Sequence, residues 1–284
     1  MSTVAKVVIG IDGSEASVFA LSWAIGQAVN RGAELEVVHA WHLPVAAIPE
    51  GFTYPVSAAD AELGAKSVLE NAVTLALGNA PTRPETVRTV LAKGDAADAL
   101  VRASSNASQV VVGTHGHGLL GRAILGSVAE RVVLEATVPV TVIPRAPALP
   151  LGDGRIVVGV DGSPSSSAAL RFAFDRAAER NAPVTIVNAV PMIGDAPAAE
   201  MGASARGLVD AMVHLAESTG HPVPESVEIR IVAGNAGHEL VGCSRGASDL
   251  IVGYSGAAEH PWRFGSVSRR CVHQAPCAVT VVRI

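Results

Sequence analysis

The stretch that decides the fold is Val110-Val-Val-Gly-Thr-His-Gly-His-Gly-Leu-Leu-Gly-Arg-Ala-Ile-Leu-Gly-Ser-Val128. The unbroken apolar run over 109–112 predicts a buried strand, because it is short and rich in valine. Four glycines follow, and Gly126-Ser127-Val128 then opens a segment with helical spacing of apolar residues. A strand, a glycine-rich loop and a helix N-terminus together favour anion binding, since their backbone N–H groups can approach a phosphate closely.

The spacing of these glycines distinguishes the stretch from common phosphate loops. Two residues separate Gly113 from Gly116, and nine separate Gly116 from Gly126. That pattern differs from the P-loop, and it differs from the dinucleotide fingerprint because it comes late in its domain rather than after the first strand. A plain glycine-rich turn remains the alternative interpretation, because loose glycine motifs are common.

Composition limits the classes of function. The chain has 284 residues, of which 49% are hydrophobic, 17% charged and only 4% aromatic, with a net charge of −5. These values predict two domains with aliphatic cores, as in parallel sheets covered by helices. Without a basic tract we expect no nucleic-acid partner, and without a long apolar run we expect no membrane insertion and a cytoplasmic location.

The three cysteines predict neither a disulfide framework nor a zinc site. Cys243, Cys271 and Cys277 form no Cys-x-x-Cys pair, and their number is odd. We therefore expect three small buried side chains.

The chain is a repeat of two halves in the same order. Lys6–Ser14 recurs as Arg155–Ser163, Gly94–Val101 as Gly234–Val241, and Gly126-Ser127-Val128 as Gly265-Ser266-Val267. This is a duplicated domain rather than an array of short units. The prolines and glycines over 144–154 mark the linker, so the predicted domains are 1–145 and 154–284.

Each half alternates predicted strands and helices. In the first half we expect strands over 5–11, 34–40, 85–91, 109–112 and 138–143, and helices over 15–30, 58–77, 96–105 and 128–136. This alternation predicts an α/β fold with a parallel sheet, right-handed crossovers and helices on both faces. The apolar residues expected to bury the helix over 58–77 are Leu63, Val68, Ala72, Leu75 and Ala76.

Topology alone predicts where a ligand binds. In an open parallel sheet, ligands occupy the crevice beyond the carboxyl ends of the strands, where strand order reverses. The ends of the first, second and fourth strands carry Asp12, His39-Ala40 and Gly113. Three segments distant in sequence therefore converge on one predicted pocket.

Taken together, the motifs resemble the ATP-binding branch of the universal stress protein family, twice over nearly the whole chain. The resemblance rests on Gly-Ile-Asp-Gly-Ser at 10–14, the glycine loop and the closing strand Val138-Pro-Val-Thr-Val-Ile143. It implies two tandem Rossmann-like domains, each with a five-stranded parallel sheet, and ATP, with Mg²⁺, as the ligand. In that family the first-strand aspartate lies near adenosine, backbone at the end of the second strand contacts adenine, and the glycine loop with its Gly-Ser pair holds the phosphates.

The resemblance also assigns candidate residues. Asp12 would lie at the adenosine, the Ala40 backbone at the adenine, and the glycine loop at the phosphates, with His115, His117 and Arg122 adding charge. The alternatives are that Asp12 caps a turn and that the histidines are solvated; a metal held by protein side chains is not expected, since no third ligand is evident. The first-site candidates are Gly10, Asp12, Ala40, Gly113, Thr114, His115, Gly116, His117, Gly118, Arg122, Gly126, Ser127 and Val128.

The second half departs from this pattern. Only eight residues separate Gly256 from Gly265, and they include Glu259, Pro261 and Arg263. We therefore expect a second site that is weaker or has a different ligand preference, although its anchoring glycines are kept. Its candidates are Gly159, Asp161, Ala189, Gly253, Tyr254, Ser255, Gly256, Arg263, Gly265, Ser266 and Val267.

Three functional hypotheses follow. The first is a nucleotide-dependent regulator of stress response or growth that binds ATP with little or no turnover, since no P-loop lysine, kinase catalytic loop or Gly-x-Ser-x-Gly elbow is present. The second is a slow ATPase or nucleotidyl-transfer enzyme using His115 or His117. The third is an interaction scaffold without a ligand. A homodimer and an unidentified regulatory protein partner are compatible with each, and the halves could pair through their last strands, 139–143 and 278–282.

Overall fold

A computed structural model of the chain describes residues 5–43, 57–114, 125–144, 154–191, 198–256 and 264–284. Its contacts divide the chain into two compact units. The elements of the first unit are β1 (Lys6–Ile11), α1 (Glu15–Arg31), β2 (Glu34–Trp41), α2 (Ala58–Asn79), β3 (Val87–Lys93), α3 (Ala96–Ser104), β4 (Gln109–Gly113) and α4 (Ser127–Glu135).

The second unit has the same alternation, preceded by one further strand from the first repeat. Its elements are β5 (Val140–Ile143), β6 (Ile156–Gly159), α5 (Pro164–Arg180), β7 (Val184–Val190), α6 (Ala198–Ser218), β8 (Val227–Ala233), α7 (Ala236–Cys243), β9 (Asp249–Gly253), α8 (Ser266–Gln274) and β10 (Ala278–Val282). Each repeat thus contributes five described strands.

Strand pairing creates a reversal of strand order in each unit. In the first unit β1 lies between β2 and β4, with β3 outside β2, and all pairs are parallel. In the second unit β6 lies between β7 and β9 in the same way. The α/β class, the parallel pairing and the predicted reversal beside the first strand of each repeat are therefore confirmed.

Both sheet faces of the second unit are covered by helices. Successive strand residues point to opposite faces. Ile156, Val158 and Val160 belong to a buried cluster with α5 and α6, whereas a Cβ at Gly159 would point towards Leu240 of α7. The strands are apolar on both faces because neither face meets water.

The helices begin and end where the sequence provides caps. The Ser14 hydroxyl accepts a hydrogen bond from the Ser17 N–H at the start of α1, and Ser163 does the same for Ser166 at the start of α5. Gly32, with φ of 56°, ends α1 in a left-handed conformation that glycine adopts without strain.

The predicted buried face of α2 is confirmed only in part: Ala72 and Ala76 are buried as predicted, and Val68 is half-buried. In α2 the buried residues are Ala65, Leu69, Ala72 and Ala76, whereas Leu63 is 64% exposed and Leu75 55% exposed. The buried face therefore consists of three alanines and Leu69, while Leu63 and Leu75 lie at other angular positions and remain in water. The prediction was wrong for Leu63 and Leu75, and it missed Ala65 and Leu69.

The cysteines lie inside the second unit. Cys271 and Cys277 are buried and Cys243 is half-buried, and none forms a disulfide. Burial raises the pKa of the Cys271 and Cys277 thiols to about 12 in each case. Thiols held neutral in this way are poor nucleophiles, in agreement with a packing role.

The strands that close the two repeats pair with each other. Within the second unit β5 runs antiparallel to β10, with Val142 opposite Val279. The Thr141 and Thr280 hydroxyls lie 2.8 Å apart and are hydrogen-bonded in a buried position. The pairing predicted for these strands is therefore present.

The end of β9 requires glycine. A Cβ at Gly253 would lie 2.8 Å from the backbone carbon of Ser165 and 2.9 Å from the Ser166 nitrogen, at the start of α5. Backbone atoms cannot move aside as a flexible side chain can, so a substitution here must shift a helix against a strand.

We expect Gly253→Ala to lower the free energy of unfolding by about 1–3 kcal/mol, the usual cost of overpacking. Gly207→Ala, on α6 with nothing within 4 Å of the new Cβ, is the matched control and should instead raise it by about 0.5–1 kcal/mol. Thermal unfolding of both variants tests this, and equal transition temperatures would contradict the close approach.

Candidate functional site

A cavity lies at the carboxyl ends of β1, β2 and β4, where strand order reverses. Its volume is about 290 Å³, near the lower end of the range of about 300–1,000 Å³ typical of small-molecule sites. It is lined by Gly10, Ile11, Asp12, Ser17, Val38, Ala40, Ala96, Leu100, Val112, Gly113, Thr114, Gly126, Ser127, Val128 and Ala129.

Most of the first-site candidates line this cavity. Those that do are Gly10, Asp12, Ala40, Gly113, Thr114, Gly126, Ser127 and Val128. The remaining candidates, His115, Gly116, His117, Gly118 and Arg122, lie outside the described residues. The topology thus brings together three strand ends and one helix start that are far apart in sequence.

Asp12 shapes the turn between β1 and α1. Its Oδ1 accepts hydrogen bonds from the Ser14 N–H at 3.0 Å and from the Ser14 hydroxyl at 2.6 Å. Ser14 in turn caps α1. The aspartate therefore has the turn-forming role given above as an alternative, and it also lies at the cavity wall.

His39 holds the end of β1 from the neighbouring strand. Its Nδ1 lies 2.9 Å from the carbonyl oxygen of Ile11, and the ring is buried. A carbonyl oxygen can only accept, so Nδ1 carries the proton and donates. This bond fixes the carbonyl immediately before Asp12, which positions the cavity wall.

Helix α3 forms a wall that sequence reasoning missed. Ala96 and Leu100 of α3 both line the cavity. Leu100 lies against Gly10, where an added Cβ would be only 2.6 Å from a Leu100 methyl carbon. The sequence does contain one signal for this wall. Gly94-Asp95 marks a helix start, and it places the first turn of α3 close to the end of β3.

Helix α4 points an uncapped N-terminus at the cavity. Gly126 is its N-cap and provides no side-chain hydrogen bond, whereas α1, α2 and α3 are capped by Ser14, Ser57 and Asp95. Helix geometry leaves the first N–H groups without intrahelical acceptors. Ser127, Val128 and Ala129 all line the cavity, so this helix start presents donors and a positive dipole end there.

The residues that bracket the glycine loop are joined by one backbone bond. The Gly126 N–H donates to the Thr114 carbonyl at 2.7 Å. In the second unit the Gly265 N–H donates to the Tyr254 carbonyl at 2.9 Å. In each unit this bond holds together the described residues on either side of the glycine motif.

A cluster of charges surrounds one arginine on α4. Arg131 lies 2.8 Å from Asp95, 2.6 Å from Asp98 and 3.2 Å from Glu135. Its hydrogen bonds to Glu135 and Asp98 raise the pKa of the guanidinium above its usual value. The Asp98 N–H, followed by the charge of Arg131, lowers the pKa of Asp95. The cluster ties α4 to α3 across the edge of the cavity.

A second cavity occupies the equivalent place beside β6, β7 and β9. Its volume is about 210 Å³. It is lined by Gly159, Val160, Asp161, Ser166, Val187, Ala189, Ala236, Leu240, Val252, Gly253, Ser255, Gly256, Gly265, Ser266, Val267 and Ser268.

Most of the second-site candidates line this cavity as well. Those that do are Gly159, Asp161, Ala189, Gly253, Ser255, Gly256, Gly265, Ser266 and Val267. Tyr254 is not among the lining residues: it is buried, with the Arg283 guanidinium 3.7 Å from its ring centroid. Arg263 lies outside the described residues.

The two cavities share a strand-end contact. The Asn188 amide donates to the Val160 carbonyl at 2.8 Å, the place that His39 holds beside Ile11. Asp161 accepts from the Ser163 N–H at 3.0 Å, as Asp12 does from Ser14. The same backbone arrangement is therefore maintained with either a histidine or an asparagine.

Serines tighten the second cavity. The Ser268 hydroxyl donates to the Gly253 carbonyl at 2.5 Å, and the Ser165 and Ser255 hydroxyls lie 3.2 Å apart. In the first repeat Ala129 occupies the position of Ser268 and has no hydroxyl. These bonds hold the end of β9 against α5 and α8 and accompany the smaller volume.

The part of the chain that the structure describes contains neither a cluster of metal ligands nor a membrane-spanning helix. There, no three His, Cys, Asp or Glu side chains are grouped to hold a metal ion. No described helix is long and apolar enough to cross a membrane.

Comparison with known proteins agrees with the duplicated architecture. The model of the universal stress protein family matches residues 3–144 and again 154–283. A universal stress protein of Mycobacterium tuberculosis is 32% identical over 290 residues, covering 98% of this chain and 96% of that protein. Another from the same organism is 29% identical over 316 residues, covering 98% and 95%.

A solved structure supports the fold. The crystal structure of a universal stress protein from Archaeoglobus fulgidus superposes with a TM-score of 0.70 and 20% identity, covering 98% of this chain and 96% of that one. Two family matches in tandem, full-length relatives and a shared fold lead to one conclusion. The chain belongs to the universal stress protein family and carries its domain twice.

Proposed function

We propose that this chain is a regulator that binds ATP at the carboxyl ends of the sheet strands, with little or no turnover. The observation that carries the proposal is the first cavity, where Asp12, Ala40, Gly113 and an uncapped α4 converge. In this proposal the nucleotide state of the chain governs its contact with a protein partner in stress response or growth, in the cytoplasm, as a monomer or a homodimer.

The shape of the cavity supports a nucleoside next to its phosphates. The lining residues Val38, Ala40 and Leu100 are apolar and suit a base, with backbone groups of Ala40 at the end of β2. Gly113 ends β4, which lies across β1 from β2, and Gly113 and the α4 start offer N–H groups for phosphates. The loop candidates His115, Gly116, His117, Gly118 and Arg122 complete the phosphate side in this proposal.

Mg²⁺ fits as a companion of the nucleotide rather than as a resident ion. Asp12 is the one carboxylate among the described lining residues of the first cavity, and its Oδ1 accepts two hydrogen bonds from Ser14. Mg²⁺ in nucleotide sites takes most of its ligands from phosphates and water. The bound ion would offset phosphate charge.

The described cavity also supports binding without turnover. Asp12 is committed to its turn, and the other described lining residues are apolar, glycine or hydroxyl side chains. An efficient hydrolase positions a base or a water-orienting group beside the phosphate. The described residues offer no such group, so slow release rather than chemistry would control the nucleotide state.

The first test is to denature the purified protein and to identify any released nucleotide by mass, with its stoichiometry. We expect ATP at one or more per chain, since an adenine nucleotide held by backbone donors survives purification when it dissociates slowly. Absence of nucleotide, together with failed titration by ATP and Mg²⁺, would contradict the proposal and favour the scaffold hypothesis.

The Gly10 position tests the base side of the cavity. Gly10→Ala places a Cβ 2.6 Å from Leu100, so Leu100 must move within the cavity wall. We expect affinity for ATP at this site to fall on the order of tenfold, equivalent to about 1.4 kcal/mol. Gly64→Ala, on α2 with open space around the new Cβ, is the control and should bind as the parent does. Calorimetric titration of both variants decides, and equal affinities would remove the cavity from the proposed site.

Turnover tests the non-enzymatic part of the proposal. We expect phosphate release from ATP by the parent to match that of Gly10→Ala at saturating nucleotide, because no described group activates water. The opposite result has two parts: the parent releases phosphate much faster than Gly10→Ala, and His115→Ala or His117→Ala abolishes that release while ATP still binds. That result would establish the slow ATPase.

A further inference from the structure

The two cavities differ in the charges that surround them. Equivalent positions on α3 and α7, and on α4 and α8, follow directly from the repeat, because Gly94 aligns with Gly234 and Gly126 with Gly265. Arg131 is kept as Arg270, but its acidic neighbours are not. The changed pairs are Asp95 and Asn235, Asp98 and His238, Glu130 and Arg269, and Glu135 and Gln274.

The resulting helix pairs have opposite formal charge. With their N-caps, α3 and α4 carry four acidic residues against Arg102 and Arg131, a formal charge of −2. With theirs, α7 and α8 carry Glu239 against Arg269 and Arg270, a formal charge of +1. The loop sequences make the charge difference smaller but do not remove it. The loop over 115–124 adds the positive charge of Arg122, whereas Glu259 and Arg263 cancel each other in the loop over 257–263.

These charges lie close to the cavities. Glu130 and Arg269 directly follow the lining residues Ala129 and Ser268, and Asp95 precedes the lining residue Ala96. One helical turn rises about 5.4 Å, which is less than the Debye length of roughly 8 Å at physiological ionic strength. A phosphate at either helix start therefore experiences these charges with only partial screening.

The arginines are also engaged differently. Arg131 is surrounded by Asp95, Asp98 and Glu135, which together overcompensate its charge. Arg270 donates to the neutral Asn235 side chain at 3.3 Å, and among the described residues no carboxylate lies within salt-bridge distance of it. Arg269, exposed on the first turn of α8, lies 5.9 Å from the Phe264 ring centroid. Among the described residues, neither Arg269 nor Arg270 forms a salt bridge, so the second helix start carries two positive charges that no described carboxylate contacts.

We infer that the two cavities divide the nucleotide by its charge state: the first binds a nucleoside triphosphate complexed with a divalent cation, and the second binds it uncomplexed. The inference rests on the proposed nucleotide binding. At the first cavity the divalent cation lowers the repulsion between the phosphates and the acidic residues of α3, α4 and their N-caps. At the second cavity the same cation weakens the attraction to Arg269 and Arg270. The second site is then a preferred site for a more highly charged anion rather than a weak copy of the first.

A photoreactive azido-ATP tests this on the parent chain. The protein is labelled with Mg²⁺ present or with a chelator, and mass spectrometry assigns the labelled peptides to the first or the second repeat. We expect the ratio of first-repeat to second-repeat labelling to fall on the order of tenfold when Mg²⁺ is removed, as several charges within about a Debye length imply. The difference should shrink at high salt.

A charge exchange tests the cause. Glu130 and Arg269 are exposed at the same helix position, so Glu130→Arg combined with Arg269→Glu should preserve the fold and reverse the response to Mg²⁺. Glu62→Arg makes the same charge change at an exposed position on α2. It is the control for Glu130→Arg alone, and it should leave the labelling ratio unchanged. Far-ultraviolet circular dichroism checks that each variant is folded.

The outcomes distinguish failure of this inference from failure of the proposed nucleotide binding. Labelling of both repeats with the same Mg²⁺ dependence, or an exchange variant that behaves like the parent, would overturn the inference while leaving nucleotide binding intact. Absence of specific labelling in either repeat, under both conditions, would overturn the proposed function itself.

Discussion

Both cavities depend on a close contact between a glycine at the end of a buried strand and a leucine of the neighbouring helix. A Cβ at Gly10 would lie 2.6 Å from Leu100, and one at Gly159 would lie 2.8 Å from Leu240. Because these strands carry no side chain at that point, the neighbouring helix packs directly on the sheet and its leucine becomes a cavity wall. The apolar side of each site is thus a result of close helix–sheet packing rather than of a separate binding loop.

The sequence predicted the part of this architecture that repeats and alternates. Apolar strands, capped helices and the recurrence of Lys6–Ser14 as Arg155–Ser163 were enough to predict an α/β fold with a reversal of strand order. From that reversal Asp12, Ala40 and Gly113 were assigned to one crevice, and all three line the same cavity. Strand ends in a parallel sheet converge by geometry, so no knowledge of side-chain packing was needed.

Features set by three-dimensional packing were not predictable in the same way. Leu63 and Leu75 were assigned to the buried face of α2 with Ala72 and Ala76, yet Ala65 and Leu69 complete that face instead, because helical spacing alone does not fix which neighbouring angular positions meet the core. Leu100 entered the cavity wall through its contact with Gly10, which no local motif encodes. Tyr254 sits within the second glycine motif but packs beside Arg283 instead of lining the cavity.

The two cavities share their backbone geometry but differ in their electrostatics. His39 and Asn188 hold the same carbonyl position, and both helix starts lack a side-chain cap. Around these shared features, carboxylates that surround Arg131 are replaced by neutral or basic residues near Arg270. One scaffold therefore carries two different electrostatic environments without any change in strand order.

The pairing of β5 with β10 has a consequence for how far the two repeats can be separated. A strand encoded at the end of the first repeat belongs to the compact unit of the second, and its Thr141 bonds Thr280 inside that unit. A gene fragment cut at the linker over 144–154 would therefore not encode the second unit in full, and would leave the edge of β10 open to pairing with other chains. In the duplicated chain, this edge is closed by folding within one polypeptide rather than by association between molecules.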